Sequence, residues 1–181
     1  MADAHVRLAK TSDAGAIGDL QVHAWTAAYR GTLPDDVLDA LTADEVAARW
    51  RSAMTRPPTP RHRVLVALRD TDVVGFAALG PASDDDCDPG ETAEILTLLV
   101  DPAATGQGHG SRLLAATVEH LRQDGFHAAT TWLLATDDGA RRFLRDAGWA
   151  PDGARRDLDV HGDGSVLVPQ VRLHTDLASG L

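Results

Sequence analysis

The sequence predicts one domain of the α/β class over residues 1–181, and three observations predict it. Residues 94–114, EILTLLVDPAATGQGHGSRLL, read as a strand, a glycine-rich loop and an amphipathic helix. A second strand and helix follow at 127–147, and two further strand-like stretches close the chain. Three more strand-like stretches precede residues 94–114, so the whole chain carries about seven strands among its helices. At 181 residues it is long enough to bury about 70% of its unfolded surface without staples.

Taken in order, His5–Leu8 reads as a short strand, and Thr11-Ser12-Asp13 offers a helix N-cap. Ile17, Leu20, Ala24 and Ala27 recur at three and four residues, which is the buried stripe of a helix that breaks near Arg30-Gly31. Leu33-Pro34-Asp35 starts a short helix carrying Val37, Leu38 and Leu41. Thr42 and Glu45 have capping-box spacing for another helix, with Val46, Trp50 and Met54 inward and Pro57, Pro58 and Pro60 ending it. Strands at 63–68 and 73–79 read as a hairpin. The stretch PASDDDCDPG at 81–90 is too rich in breakers for an element and reads as a surface loop.

The central strand, Ile95 to Val100, is stopped by Asp101-Pro102. The helix that follows the loop runs from about Gly110 to Gln123 with Leu114, Val118 and Leu121 on one face, and Gly125 suits its C′ position. A strand at 127–134 leads to a short helix capped by Thr136 or Asp137 and ended near Ala147 by Gly148. Two last strands, 149–159 and 165–175, turn at His161-Gly162-Asp163-Gly164.

Gly106, Gly108 and Gly110 permit close backbone approach, and the first amides of a helix lack internal partners and carry the positive end of its dipole. A phosphate-bearing ligand is therefore expected at Gly106–Ser111. The spacing G-x-G-x-G is not the G-x-G-x-x-G of dinucleotide folds, and no Lys-Ser/Thr follows as a triphosphate loop requires.

The loop resembles the pyrophosphate loop of the GNAT superfamily of N-acetyltransferases, (Arg or Gln)-x-x-Gly-x-(Gly or Ala), which falls here on Thr105, Gly108 and Gly110. Asp137 to Trp149, DDGARRFLRDAGW, is similar to the superfamily's N-x-x-A-x-x-F-Y-x-x-x-G-F, with Ala140, Phe143, Gly148 and Trp149 in register. The stretch AWTAAYRGTLPDDVLDAL resembles one common bacterial branch. Together the motifs span 94–149, and the order of elements matches from end to end.

The resemblance implies an acyl-CoA N-acyltransferase fold: a mixed, mostly antiparallel sheet of about seven strands, splayed between strands 4 and 5 and flanked by about four helices. It implies acetyl-CoA as cosubstrate. Leu98, Leu99 and Val100 would pair with the pantetheine arm as a peptide adds to a sheet edge. Thr105, Gly106, Gln107, Gly108, His109, Gly110 and Ser111 would hold the pyrophosphate, with Thr105 acting through its backbone and His109 covering the cofactor or lending positive charge. Ala140 and Phe143 would wall the thioester end, and Asp137 is either a ligand there or only a helix cap. Tyr29 and Arg30 lie where acceptor recognition is expected.

A primary amine with a pKa near 10.4 is neutral only about one time in a few thousand at pH 7, so a base must collect its proton. Glu94 stands at the family's base position, with Glu91 a weaker candidate and a solvated strand-end residue the plain alternative. The family's usual Tyr proton donor is Leu144 here. Tyr29 is the sole tyrosine, and packing or substrate contact is its simpler role. Ser111 and Thr105 have no nearby His in sequence, so direct transfer in a ternary complex is expected. A non-catalytic acyl-CoA-binding or sensor module is the alternative, and a ligand-free interaction domain would require an incidental glycine loop.

The expected partner is an amine, on a small molecule or a protein, and a homodimer is left open. A net charge of −10, with 27 acidic against 17 basic residues, disfavours nucleic acid. No apolar run suits a membrane and no secretory segment follows Met1, so a cytoplasmic location is expected. No metal is expected, because the eight histidines show no ligand spacing and the 157–168 stretch lacks a calcium loop's final Glu. The acidic loop around Asp84–Asp88 reads as solvated surface or as an attractor for a cationic acceptor. Its lone Cys87 should have a raised pKa. Trp25, Trp50, Trp132 and Trp149 read as core.

Overall fold

The computed structural model describes residues 4–178. Its elements are β1 (Ala4–Leu8), α1 (Ala14–Tyr29), α2 (Asp35–Asp39), α3 (Ala43–Thr55), β2 (Arg63–Arg69), β3 (Asp72–Pro81) and β4 (Thr92–Val100). They continue with α4 (His109–Gln123), β5 (Ala128–Leu134), α5 (Asp138–Asp146), β6 (Ala150–Asp159) and β7 (Leu167–Asp176), and short 3-10 turns lie at Thr11–Asp13 and Pro102–Ala104. The strands form one seven-stranded sheet in the order β1-β2-β3-β4-β5-β7-β6. It is mixed and mostly antiparallel, as expected. β1-β2, β2-β3, β5-β7 and β7-β6 run antiparallel, and β4 pairs parallel with β5 through Thr92↔Ala128, Ala93↔Ala129 and Glu94↔Thr130. A parallel pair needs a crossover, and α4 supplies it.

The contacts group the chain into two compact units, Met1–Gly80 with Leu96–His120, and Pro81–Ile95 with Leu121–Leu181. In the first unit Ile17, Leu20 and Ala24 of α1 pack with Val66, Leu68 and Phe76 of the hairpin strands. The predicted helical stripe is real but ends one step early, since Ala27 is exposed. Trp50 and Met54 border this core half-buried; the Trp50 ring meets Phe76 edge-on at 5.2 Å and donates to Gln21 Oε1 at 2.7 Å. Gly18 allows α1 to lie against α3, because a Cβ there would stand 2.5 Å from the Ala43 carbonyl oxygen.

Two predicted caps differ in detail. Thr42 caps α3 by accepting from Glu45 N–H at 3.3 Å. Asp13 sits at the start of α1 but its carboxylate accepts instead from Lys10 N–H at 2.7 Å and from the Arg7 guanidinium at 2.7 and 3.1 Å. Arg7 was an unassigned strand residue in the sequence, and its pairing makes Asp13 a tie between β1 and α1.

In the second unit β7 lies between β5 and β6, and Ala129 and Leu173 are fully buried while β6 is largely exposed. α5 ends as predicted: Gly148 takes φ +89°, and Trp149, which is buried, donates its N–H to Leu144 O. The turn after β6 is held by the Asp159 carboxylate, which accepts from Gly162 and Gly164 N–H at 2.9 and 2.8 Å. Element ends shift by a few residues from expectation: β4 begins at Thr92, α4 at His109, β6 at Ala150 and β7 at Leu167. No helix among the described residues is long and apolar enough to cross a membrane.

Candidate active site

In the first unit the glycine loop is assembled from its own backbone. Asp101 N–H donates to Val74 O at 2.8 Å, and its carboxylate accepts from Ala103 N–H at 2.8 Å, which turns the chain out of β4 at Pro102. Ala104 is buried and pins the turn. The Thr105 hydroxyl donates to Pro102 O at 2.9 Å, the Gln107 amide to Ala103 O at 3.4 Å, and the Arg112 guanidinium to Gln107 O at 3.2 Å. These polar side chains are thus committed to the loop's own carbonyls. What remains for a ligand is the backbone of Gly106–Ser111, where the first N–H groups of α4 have no partner within the helix.

Gly106 and Gly108 take φ of +74° and +80°, conformations that L side chains rarely adopt. Within the protein a Cβ at Gly108 would meet only the flexible end of Arg112 at 3.3 Å, so its cost to the chain itself is mainly the strain of the positive φ. His109 is buried, and desolvation, followed by Arg112 and Arg69, pushes its pKa down. Its surroundings therefore disfavour the charged form of the ring. Arg112, which sequence reading passed over, places a guanidinium beside Gly108 instead; its position one turn into the helix was the available signal. Leu98, Leu99 and Val100 are half-buried, and a Cβ on Gly75 would stand 2.9 Å from Leu99 O, so a glycine there lets β3 lie close to this stretch.

Tyr29 is the last residue of α1 rather than a loop residue, and its ring meets Trp25 edge-on at 5.9 Å. Arg30 bridges Asp35 and Asp39 at 3.1 Å each, which fastens the entry to α2.

In the second unit Glu94 is 5% exposed. It is not a solvated strand-end residue. Desolvation first, then the Asp84 carboxylate, push its pKa up, against the Arg156 charge, a hydrogen bond from the Ser83 amide and the Arg172 charge. Glu91 is exposed and pairs with His127.

The acidic loop is not merely solvated either. Arg172 on β7 is 6% exposed; its Nε donates to Asp152 Oδ2 at 2.7 Å and its Nη1 to Asp84 Oδ2 at 3.0 Å. Asp86 takes it in a fork, from Nη1 at 2.7 Å and Nη2 at 2.5 Å. This hydrogen bonding lowers the Asp86 pKa to about 2. Trp132, expected in the core, is half-buried with the Arg156 guanidinium 4.2 Å and that of Arg172 5.5 Å from its ring centre, and its Nε1 donates to Asp84 at 2.9 Å. Cys87 has a raised pKa with burial as the leading cause. Arg172 lies 86 residues from Asp86 in sequence, and no local pattern marks it.

Asp137 is the N-cap of α5, accepting from Ala140 N–H at 3.0 Å. Ala140 and Phe143 are half-buried on that helix, and Leu144 is buried.

The pattern of the Acetyltransferase (GNAT) family matches residues 22–149, a stretch that runs through both units. An uncharacterized N-acetyltransferase, YuaI of Bacillus subtilis, is 30% identical over 130 residues, 71% of this chain and 70% of that protein. A mycothiol acetyltransferase of Kineococcus radiotolerans is 31% identical over 166 residues; the match covers 85% of this chain but half of that protein's length. Among solved structures, yncA of Salmonella typhimurium with its cofactor acetyl-CoA shares the fold, with a TM-score of 0.70 at 20% identity over 98% of this chain and 95% of that one.

Proposed function

The chain belongs to the Acetyltransferase (GNAT) family, and from that premise we propose that it moves an acetyl group from acetyl-CoA to a primary amine by direct transfer in a ternary complex. Glu94 is the observation that carries the reading. It is a buried carboxylate at the family's base position whose pKa is raised toward the working pH, where a general base is most useful and is typically worth about 10²–10⁴-fold.

The backbone of Leu98, Leu99 and Val100 takes the pantetheine amides, and the amides of Thr105–Ser111 take the pyrophosphate, with Arg112 adding positive charge. Ala140 and Phe143 wall the thioester end, and Asp137 serves that end by capping their helix. Tyr29 meets the acceptor. Residues 1–181 then act as a single N-acetyltransferase domain.

The amine's proton passes to Glu94 as nitrogen attacks the thioester carbonyl. The carbon–sulfur bond breaks and the thiolate leaves. With a pKa near 8.5 for an ordinary thiol the thiolate is a tolerable leaving group, so water suffices to protonate it.

A sensor that binds acyl-CoA without turnover is the second reading, and Leu144 favours it: a buried aliphatic side chain stands where a proton donor is usual. Calorimetric titration of acetyl-CoA, followed by thiol release across a panel of amines at several pH values, separates the two. Binding with amine-dependent release supports the transferase, binding alone supports the sensor, and absence of binding removes the cradle. Glu94→Gln should cut turnover by about 100-fold or more near neutral pH and leave acetyl-CoA affinity nearly unchanged.

A further inference from the structure

Sheet alternation places a group of side chains on the face that carries Glu94. Glu94 is in register with Thr130; Trp132 follows two residues on and is in register with Arg172, and Gln170, two residues before Arg172, is in register with Arg156. Over that face lies the start of the acidic loop. Just before it, Ala82 donates its N–H to Thr92 O at 2.9 Å, which lays the loop along β4 two residues from Glu94, and Asp84 is gripped by Arg172 at 3.0 Å and by Trp132 at 2.9 Å. Asp86 and Asp152 complete the hold on the Arg172 guanidinium at 2.5–2.7 Å. Arg156 is fixed over Trp132 by Gln170 Oε1 at 2.7 Å, and its Nη1 lies 3.8 Å from Asp84.

We propose that Arg172 is a positioning residue for Glu94: by anchoring Asp84 it holds the start of the acidic loop over the face that carries Glu94, and with Arg156 it balances the negative charge that Asp84 brings there. This rests on Glu94 being the base. The groups that act on Glu94 are Asp84 and the Ser83 amide from the loop, Arg172 from β7 and Arg156 from β6. His174, exposed, shares the face beside Thr130.

The charges make opposite demands on two variants, which simple loosening of the fold would not. Arg172→Gln removes a cation and leaves Asp84 balanced by Arg156 alone. Both changes raise the Glu94 midpoint, by about 0.5–1 pH unit. Asp84→Asn removes the anion while its amide oxygen still accepts from Trp132 and Arg172, and lowers the midpoint. Asp86→Asn, which leaves the Asp84 contact in place, moves it least.

The midpoint is read without turnover, by ¹³C titration of side-chain carboxyls in the full chain, with the Glu94 signal assigned by its loss in Glu94→Gln. The acidic limb of the thiol-release profile should move in the same directions. If Arg172→Gln does not fold, Arg172→Lys, which keeps the charge but not the fork, gives a smaller upward shift and with Asp84→Asn completes the pair. Shifts of equal sign in folded variants, or no shift, overturn the inference. If Glu94→Gln leaves thiol release unchanged, the base reading fails while the titration still decides the network; if Glu94→Gln abolishes release and neither variant shifts the midpoint, the base stands and the inference falls.

Discussion

The loops on either side of β4 are built on opposite plans. The one after it, Asp101–Gly108, spends its polar side chains on its own backbone, Asp101 accepting from an amide and Thr105 and Gln107 donating to carbonyls, so its chemistry is set within a dozen residues of sequence. The one before it, Pro81–Gly90, is a string of carboxylates whose negative charge is met by Arg172 from the far end of the chain. A local cradle survives any single side-chain loss except at the residues that set its backbone. A long-range ion cluster depends on one cation.

Removing that cation is therefore the harshest test of the difference. Arg172→Ala takes from Asp84 and Asp152, both mostly shielded, the cation that grips them, and leaves Asp84 only Arg156 at 3.8 Å. It should destabilise the fold by about 2–3 kcal/mol in denaturant titration, less than a fully buried pair because Asp86 is 62% exposed. A loss no larger than that of a surface pair would mean the cluster is ornamental. Gly108→Val strikes the other loop. Forcing a β-branched residue to φ +80° costs about 1–3 kcal/mol. If the loop relaxes away from its cradle shape, acetyl-CoA affinity falls by about 10–100-fold in calorimetry while thermal stability changes little. Unchanged affinity would detach the ligand from this loop.

Acid sharpens the contrast. The Asp86 pKa is lowered to about 2 by Arg172, so its contribution is present above the ordinary value of 3.8 and is lost as pH falls toward about 2. Unfolding followed between pH 5 and 2 should show a steeper loss for the parent chain than for Asp86→Asn. The smallest effect is expected at Glu94. Its folded pKa is raised, so the folded chain holds a proton that the unfolded chain has released, and stability declines as pH climbs from the ordinary carboxylate value through the raised one. Glu94→Gln should then melt slightly higher than the parent at pH 8 and gain less at pH 4. The same substitution that lowers turnover would raise the melting temperature, a cost that a functional carboxylate carries and a structural one does not.

Much of the fold was legible because it is written in short-range signals. Apolar stretches between breakers marked the strands, apolar spacing at three and four residues marked the helices, Pro57 and Gly148 ended two of them, and the glycine loop could be read from Gly106, Gly108 and Gly110. Where the reading slipped, a contact between distant residues had the deciding energy. Ala27 continues the helical period yet finds no core above it. Asp13 prefers the Arg7 guanidinium to the helix amide it was expected to cap. Trp132 looks like core until two guanidinium groups are placed against its ring. The candidate site divides the same way: Glu94 and the glycine loop were singled out from the sequence, while Arg172 and Arg156 were not, because strand register alone brings them to the face that carries Glu94.

The sequence by itself determined which elements form, the backbone character of the cradle and the carboxylate at the head of β4, since each depends on neighbours a few positions away. Tertiary structure alone decided how that carboxylate titrates and what restrains the loop beside it. Burial and ion pairing sum over residues up to 88 positions apart, Asp84 and Arg172 among them, and their distances are fixed only when β5, β7 and β6 align.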